Sequence, residues 1–292
     1  MLDGETATDV SLVDELVRTQ FPHWHGLPVT EVRHGGTSHA LYRLGDELAV
    51  RLPRREWARD EAAKEADTVP LVAPHVPVAV PEPVALGEPT GAYPYQWSVV
   101  RWVPGGMLPS EEAAEDTPLR LATLIRALQE VDPADRPWKA GRGRRDHGGD
   151  DRDDAVRACI EQVGGDPRLV GIWEDAIAAP RWDRPGRWVH ADLHVGNLIF
   201  TGTALTGVID WGSAGVGDPA ADLMTAWIYL DERGRKAFRA EMGEYDEADW
   251  ARAKGWALDL AVLALPYYRD TNEFLAGIAS RTLDQLCPGW DS

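Results

Sequence analysis

Cysteine is scarce in this sequence: Cys159 and Cys287 are the only two in 292 residues, they lie far apart, and neither has a partner at metal-ligand spacing. A disulfide framework and a cysteine zinc site are thereby set aside, and a reducing, cytoplasmic setting fits best. Also lacking is an opening charged segment followed by a short apolar run, so export is not expected. The most apolar late stretch, "WALDLAVLALPYY", is too short for a span and carries Asp259; it reads as a core helix, and no membrane partner is expected. Basic residues are the minority, 30 Lys and Arg against 48 Asp and Glu, and the formal charge of −18 opposes nucleic acid and anionic lipid while favouring cations.

What is present is the composition of a folded protein: 44% apolar residues, 27% charged, and 13 tryptophans that need a core. "SLVDELVRTQF" sets apolar residues at helical spacing behind Ser11, which predicts a capped amphipathic helix. "VTEVRHGGTSHALYRLGDELAVRLP" alternates in three pieces broken at Gly35-Gly36 and Gly45-Asp46, the pattern of an antiparallel meander. "RDEAAKEADTVPLVAP" reads as a helix, and "VAVPEPVALG" and "QWSVVRWVPGG" as extended chain. From Pro109 the pattern turns helical, most clearly in "LRLATLIRALQEV", and helices resume at "AVRACIEQV", "RLVGIWEDAIAA" and after Asp218. Between them "DPADRPWKAGRGRRDHGGDDRDD" has no periodicity and reads as a long, mobile loop or insertion. The expected fold is α+β with two lobes, a small β-rich one over residues 1–103 and a larger, mainly helical one over 104–292.

The chemistry concentrates in "HADLHVGNLIFTGTALTGVIDWG", which starts at His190. Taking 198–200 and 205–209 as the strands of a hairpin, Asn197 before the first lies opposite Asp210 after the second. Neighbouring strands are about 4.8 Å apart, close enough for an amide oxygen and a carboxylate to meet on one hard cation. Mg²⁺ fits, because it takes one or two protein groups and completes its shell with water and phosphate. Asp192, on the loop entering the hairpin, can face that ion without binding it and accept a hydrogen bond from a substrate hydroxyl, orienting it for attack on phosphorus. His190 reads as a buttress of the loop, His194 as an ordinary packed or exposed histidine, and Asp218 as a helix cap ahead of Pro219.

The pattern H-x-D-x-x-x-x-N, a short hairpin, I-D-W-G and then "GDPAADL" resembles the aminoglycoside phosphotransferase family, including its macrolide phosphotransferase relatives, in the protein-kinase-like fold. The resemblance implies Asp192 as the catalytic aspartate, Asn197 and Asp210 as Mg²⁺ ligands, and Asp222 as a buried brace for the catalytic loop. It also gives meaning to "HGGTSHALYR", where Gly35, Gly36 and Ser38 would bring main-chain N–H groups to the phosphates of ATP or GTP. Members usually carry a lysine on the third strand; here "ELAVRLP" offers Arg51, which is always charged and grips phosphate through a fork. A helical glutamate should pair with that cation, and Glu65 suits the family position better than Glu61. Arg101, Trp102 and Val103, at a hinge-like "VVRWVPG", would offer main-chain groups to the purine.

Only four residues, "SAGV", separate Gly212 from Gly217, too few for the segment on which a protein kinase docks a peptide, so a small-molecule acceptor is expected. The helices after Asp218 would form its cleft, with Tyr267, Asp270 and Glu273 in "ALPYYRDTNEF" placed to hold a cationic ring. The acidic balance favours a cationic acceptor such as an aminoglycoside or basic peptide antibiotic over a macrolide. Three readings follow: an antibiotic kinase with a resistance role, a metabolic kinase for a sugar, amino sugar or amino alcohol, and a non-catalytic nucleotide or antibiotic binder descended from such a kinase. The choice between ATP and GTP and the oligomeric state are not encoded in any of these motifs.

Overall fold

A computed structural model describes residues 5–32, 38–109, 111–144 and 149–290. They form two compact units, one of residues 1–74, 79–104 and 208–212, the other of residues 75–78, 105–207 and 213–292.

The first unit opens with α1 (Val10–Gln20), capped by Asp9, whose carboxylate accepts the Leu12 N–H at 2.8 Å. Ser11 is thus not the cap: it lies within the first turn, while Asp9, in extended backbone one residue before the helix, has the geometry to bond back onto it. The meander follows as β1 (Val29–Glu31), β2 (His39–Leu44) and β3 (Leu48–Pro53), then α2 (Glu61–Val72), β4 (Pro83–Gly87) and β5 (Trp97–Arg101). The sheet order is β1-β2-β3-β5-β4, antiparallel throughout. All six residues of β3 are buried, as suits the central strand. Its two-residue period sends Leu48, Val50 and Leu52 into a core with Val13, Leu16, Val17 and Tyr42, and leaves Arg51 on the opposite face, where Glu65 of α2 meets it. Trp97, fully buried, lies over Gly87 of the neighbouring strand; a Cβ there would come within 1.9 Å of the indole, so only glycine admits the ring.

The second unit contains α3 (Thr117–Gln129), α4 (Asp150–Gln162), α5 (Pro167–Ala178), β6 (Arg187–Val189), β7 (Leu198–Thr201), β8 (Ala204–Val208), β9 (Gly215–Gly217), α6 (Ala220–Leu223), α7 (Thr225–Ile228), α8 (Glu232–Glu241), α9 (Glu247–Tyr268) and α10 (Glu273–Leu286). The core helix anticipated around Asp259 is α9, capped by a reciprocal Asp246/Asp249 box and packed against α4, α5, α6 and α10. Among the described residues no helix is long and apolar enough to cross a membrane. Strands β7 and β8 form the hairpin turned at Gly202. Pairing of β6 with β9 was not anticipated, since three residues are too few to show an alternation.

The aperiodic stretch before α4 is corrected in two respects. Helix α4 starts at Asp150, inside it, and residues 138–144 are fastened to β9. Trp138 bridges Val216, the Lys139 N–H donates to the Val216 carbonyl at 2.9 Å, and the Asp218 N–H donates to the Gly143 carbonyl at 2.8 Å. The approach demands glycine on both sides: Gly143 has φ +83°, and a Cβ on Gly217 would fall 2.3 Å from the Gly143 oxygen.

Candidate active site

In the second unit, β6 delivers the chain into the loop His190–Asn197. Asp222, wholly buried at the start of the helical run, accepts the N–H of His190 at 2.9 Å and that of Ala191 at 2.7 Å through separate oxygens. Ala191 has φ +63°, a conformation that costs about 1–3 kcal/mol in a non-glycine residue and persists only when its surroundings enforce it. Burial pushes the Asp222 carboxyl up to about 6, against the opposing pull of the two N–H groups.

Asp192 emerges from this turn with both carboxylate oxygens engaged. Oδ1 accepts from Arg142 Nη2 at 2.6 Å; Oδ2 accepts from Asn197 Nδ2 at 3.0 Å and lies 3.5 Å from His194 Nε2. Burial alone would raise this carboxyl, but His194 and Arg142 hold it well below the usual carboxylate range. His194, read from sequence as an ordinary histidine, is therefore part of the Asp192 environment, and Arg142, on the supposed loose insertion, was missed. Its only signal was an arginine-rich run without periodicity. His190 is buried with its main chain held as described. Asp218 caps the following turn through the Ala220 N–H at 3.0 Å and also pairs with buried Arg252 at 2.7 Å.

The Asn197 amide is oriented by its nitrogen, which donates to both the carbonyl (2.9 Å) and the carboxylate (3.0 Å) of Asp192, so Oδ1 is the atom left for a cation. Asp210 stands two residues beyond β8 at φ +64°, a second non-glycine residue in the left-handed region. The amide oxygen of Asn197, in the second unit, and the carboxylate of Asp210, in the first, are each hard donors of the kind Mg²⁺ takes. Among the described residues no group of three or more His, Cys, Asp or Glu side chains could hold a metal, so an ion bound by either residue would take most of its ligands from phosphate and water.

In the first unit Arg51 Nη1 donates to Glu65 Oε2, and Nη2 to Asp210 Oδ1 at 3.4 Å. Burial opposes the guanidinium charge, but Glu65 and Asp210 more than offset it, and Arg51 remains charged. Glu61 faces elsewhere: its carboxylate lies 3.4 Å from His39 Nδ1, and burial, with Asp210 and Glu65 nearby, pushes it up to about 7. His39 is lowered, by burial first and Arg51 second, so the imidazole side of this contact is kept from charging. Ser38 is buried with Oγ 2.9 Å from His39 Nδ1; Gly35 and Gly36 lie outside the described residues.

At the hinge one expectation is revised. The N–H groups of Arg101 and Trp102 donate to the carbonyls of Glu82 and Glu47, both at 2.8 Å, because the end of β5 lies between two neighbours. These two N–H groups are not free for a purine, which leaves the main-chain carbonyls and Val103, buried just beyond the strand. Of the suggested acceptor residues, Tyr267 is 56% exposed at the end of α9, and Asp270 and Glu273 are exposed at the joint with α10. Phe274 in the same turn lies against Gly196, where a Cβ would come within 3.2 Å of its ring. It was not singled out from the sequence.

The sequence profile of the Phosphotransferase enzyme family, APH, matches residues 29–256. The chain belongs to this family. As a member it is a phosphotransferase, and its fold is that of the protein kinases. A structure of the GDP complex of wild-type aminoglycoside 2'-phosphotransferase-IIIa superposes with a TM-score of 0.72 at 19% identity, covering 96% of this chain and 98% of that one. The apoenzyme of macrolide 2'-phosphotransferase MphH from Brachybacterium faecium gives 0.59 at 21% identity, with 97% and 99% covered. By sequence, the thiamine kinase of Escherichia coli (strain K12) is 34% identical over 73 residues, 23% of this chain and 26% of that protein, so the likeness spans about a quarter of the curated relative.

Proposed function

We propose that this phosphotransferase moves the γ-phosphoryl group of ATP or GTP onto a hydroxyl of a small, antibiotic-like molecule. The observation that carries this reading is the setting of Asp192: a carboxylate held in direction by Asn197 and Arg142, on a loop whose main chain is fixed by Asp222. Such a group accepts the acceptor's O–H proton while the acceptor oxygen bonds to phosphorus and the bond to the β,γ-bridging oxygen breaks, releasing nucleoside diphosphate. Arg51, positioned by Glu65, would contact the nucleotide phosphates with Ser38 and the glycines beside it, and Val103 the purine. Asn197 and Asp210 would hold Mg²⁺, which when bound neutralises charge on the phosphates. The helical unit, with Tyr267, Asp270 and Glu273, would receive a cationic acceptor. The structural neighbours are named for aminoglycosides and macrolides, which favours a resistance role for a cytoplasmic enzyme.

A metabolic role is the second reading, and the thiamine kinase likeness supports it. One screen separates the two: consumption of ATP and of GTP with aminoglycosides, peptide antibiotics, macrolides, amino sugars and thiamine, with Asp192→Ala as the control. Turnover with an antibiotic, together with growth protection of a susceptible host, supports the first reading. Turnover confined to thiamine or an amino sugar supports the second. Turnover with none, despite nucleotide binding, favours a non-catalytic binder.

A further inference from the structure

We infer that Arg142 is a positioning residue for phosphoryl transfer, acting through Asp192; the inference rests on Asp192 being the group that receives the acceptor hydroxyl. Arg142 grips two successive residues: Nε donates to the Ala191 carbonyl at 2.9 Å and Nη2 to Asp192 Oδ1 at 2.6 Å. The main chain of Ala191, at φ +63°, is thus held from both sides, its N–H by Asp222 and its carbonyl by Arg142.

A carboxylate can rotate about its last bond, and a hydroxyl that must line up with a phosphorus needs the accepting lone pair in a fixed place. Asn197 and His194 hold Oδ2 and the planar guanidinium holds Oδ1, so Oδ1 is the oxygen that keeps a lone pair in a fixed place for the incoming group. Arg142 is itself fixed. Its segment is tied to β9 through Lys139 and Gly143, and the Lys139 ammonium donates to the Arg142 carbonyl. Strand β9 also pairs with β6, which leads into the Asp192 loop, so the segment that carries the arginine and the strand that leads to its target are both fastened to β9. The contact is a feature of the sheet rather than a chance surface pairing; the two side chains are 23% and 19% exposed.

The test uses the full chain with Mg²⁺ and ATP or GTP, water serving as acceptor, and reads single-turnover phosphate release with enzyme in excess. Arg142→Ala is expected to slow release about 10²-fold at saturating nucleotide while nucleotide affinity stays within about twofold, the mark of lost orientation rather than lost binding. Arg142→Lys should recover part of the rate, and millimolar guanidinium should accelerate Arg142→Ala but not Asp192→Asn. Wild-type release by Arg142→Ala, with Asp192→Asn inactive, overturns the role of Arg142 and leaves Asp192 standing. Wild-type release by Asp192→Asn overturns the reading of Asp192 and this inference with it. A slow Arg142→Ala that neither lysine nor guanidinium rescues, with a lowered unfolding midpoint, makes the arginine a structural anchor and also overturns the inference.

Discussion

Asp222 accepts two consecutive main-chain N–H groups, those of His190 and Ala191, from beneath the loop that carries Asp192. Both donors are buried, and removing the acceptor leaves each unpaired at about 1–3 kcal/mol. Asp222→Ala should therefore lower the unfolding free energy by about 2–6 kcal/mol and abolish turnover together. Asp222→Asn, which keeps one acceptor oxygen but turns an NH₂ toward the second N–H, should fall between. Denaturant unfolding and phosphate release on the same samples check both, and a stable, active Asp222→Ala would remove the brace.

Arg51 and Glu65 predict a separable defect. Arg51→Met leaves Glu65 buried without its partner and should cost about 3 kcal/mol or more of stability. Arg51→Lys keeps the charge but not the fork that reaches both Glu65 and Asp210, so it should fold and bind nucleotide about tenfold more weakly. Unfolding midpoints and nucleotide titrations distinguish the two. Unaltered nucleotide affinity in both variants would make Arg51 a purely structural member of the sheet.

These two sites also show how far the sequence could be read. Asp192, Asn197 and Asp210 lie within one short stretch, so hairpin geometry alone suggested their association. Arg51 and Glu65 followed from the family resemblance, Arg51 standing where a third-strand lysine is usual and Glu65 at the position of its helical partner. Arg142 could not be read this way. It lies fifty positions before Asp192 in an aperiodic run, and its place is set by main-chain pairing to a strand of three residues, which leaves no mark on side-chain pattern. The occupied N–H groups of Arg101 and Trp102 were hidden for the same reason, since their acceptors are carbonyls of Glu82 and Glu47.

Glu61 gives a pH prediction. Its folded-state carboxyl is raised from 4.5 to about 7, so the folded protein binds more protons than the unfolded chain in between, and stability falls as pH rises through that window. The shift corresponds to about 3 kcal/mol, present below pH 4.5 and lost above about 7. Glu61→Gln should therefore flatten the decline and be more stable than wild type at pH 8, as read by denaturant unfolding across the range. A parallel decline in both proteins would assign it to other groups.

Asp210 separates conformation from charge. At φ +64° an asparagine is tolerated and an alanine is strained, so Asp210→Asn should fold like wild type whereas Asp210→Ala should lose about 1 kcal/mol. Both lack the carboxylate, and both should lose Mg²⁺-dependent turnover. Nucleotide titrations with and without Mg²⁺ are the check; a Mg²⁺ effect that survives in Asp210→Asn would exclude the residue as a ligand.

Gly217 offers a way to move Arg142 without touching it. A Cβ on Gly217 would sit 2.3 Å from the Gly143 oxygen and 3.1 Å from its carbonyl carbon, both main-chain atoms that cannot rotate aside. Gly217→Ala must therefore push residues 138–144 off β9, breaking the bond from the Asp218 N–H to the Gly143 carbonyl and withdrawing the support behind the guanidinium. Overpacking of this kind costs about 1–3 kcal/mol, less than the stability of a typical domain, so the variant should remain folded. Its phosphate release should slow toward that of Arg142→Ala, and adding Arg142→Ala to it should slow release little further, because both substitutions remove the same contact. Measured additivity of the two rate losses would show that the segment and the arginine act independently.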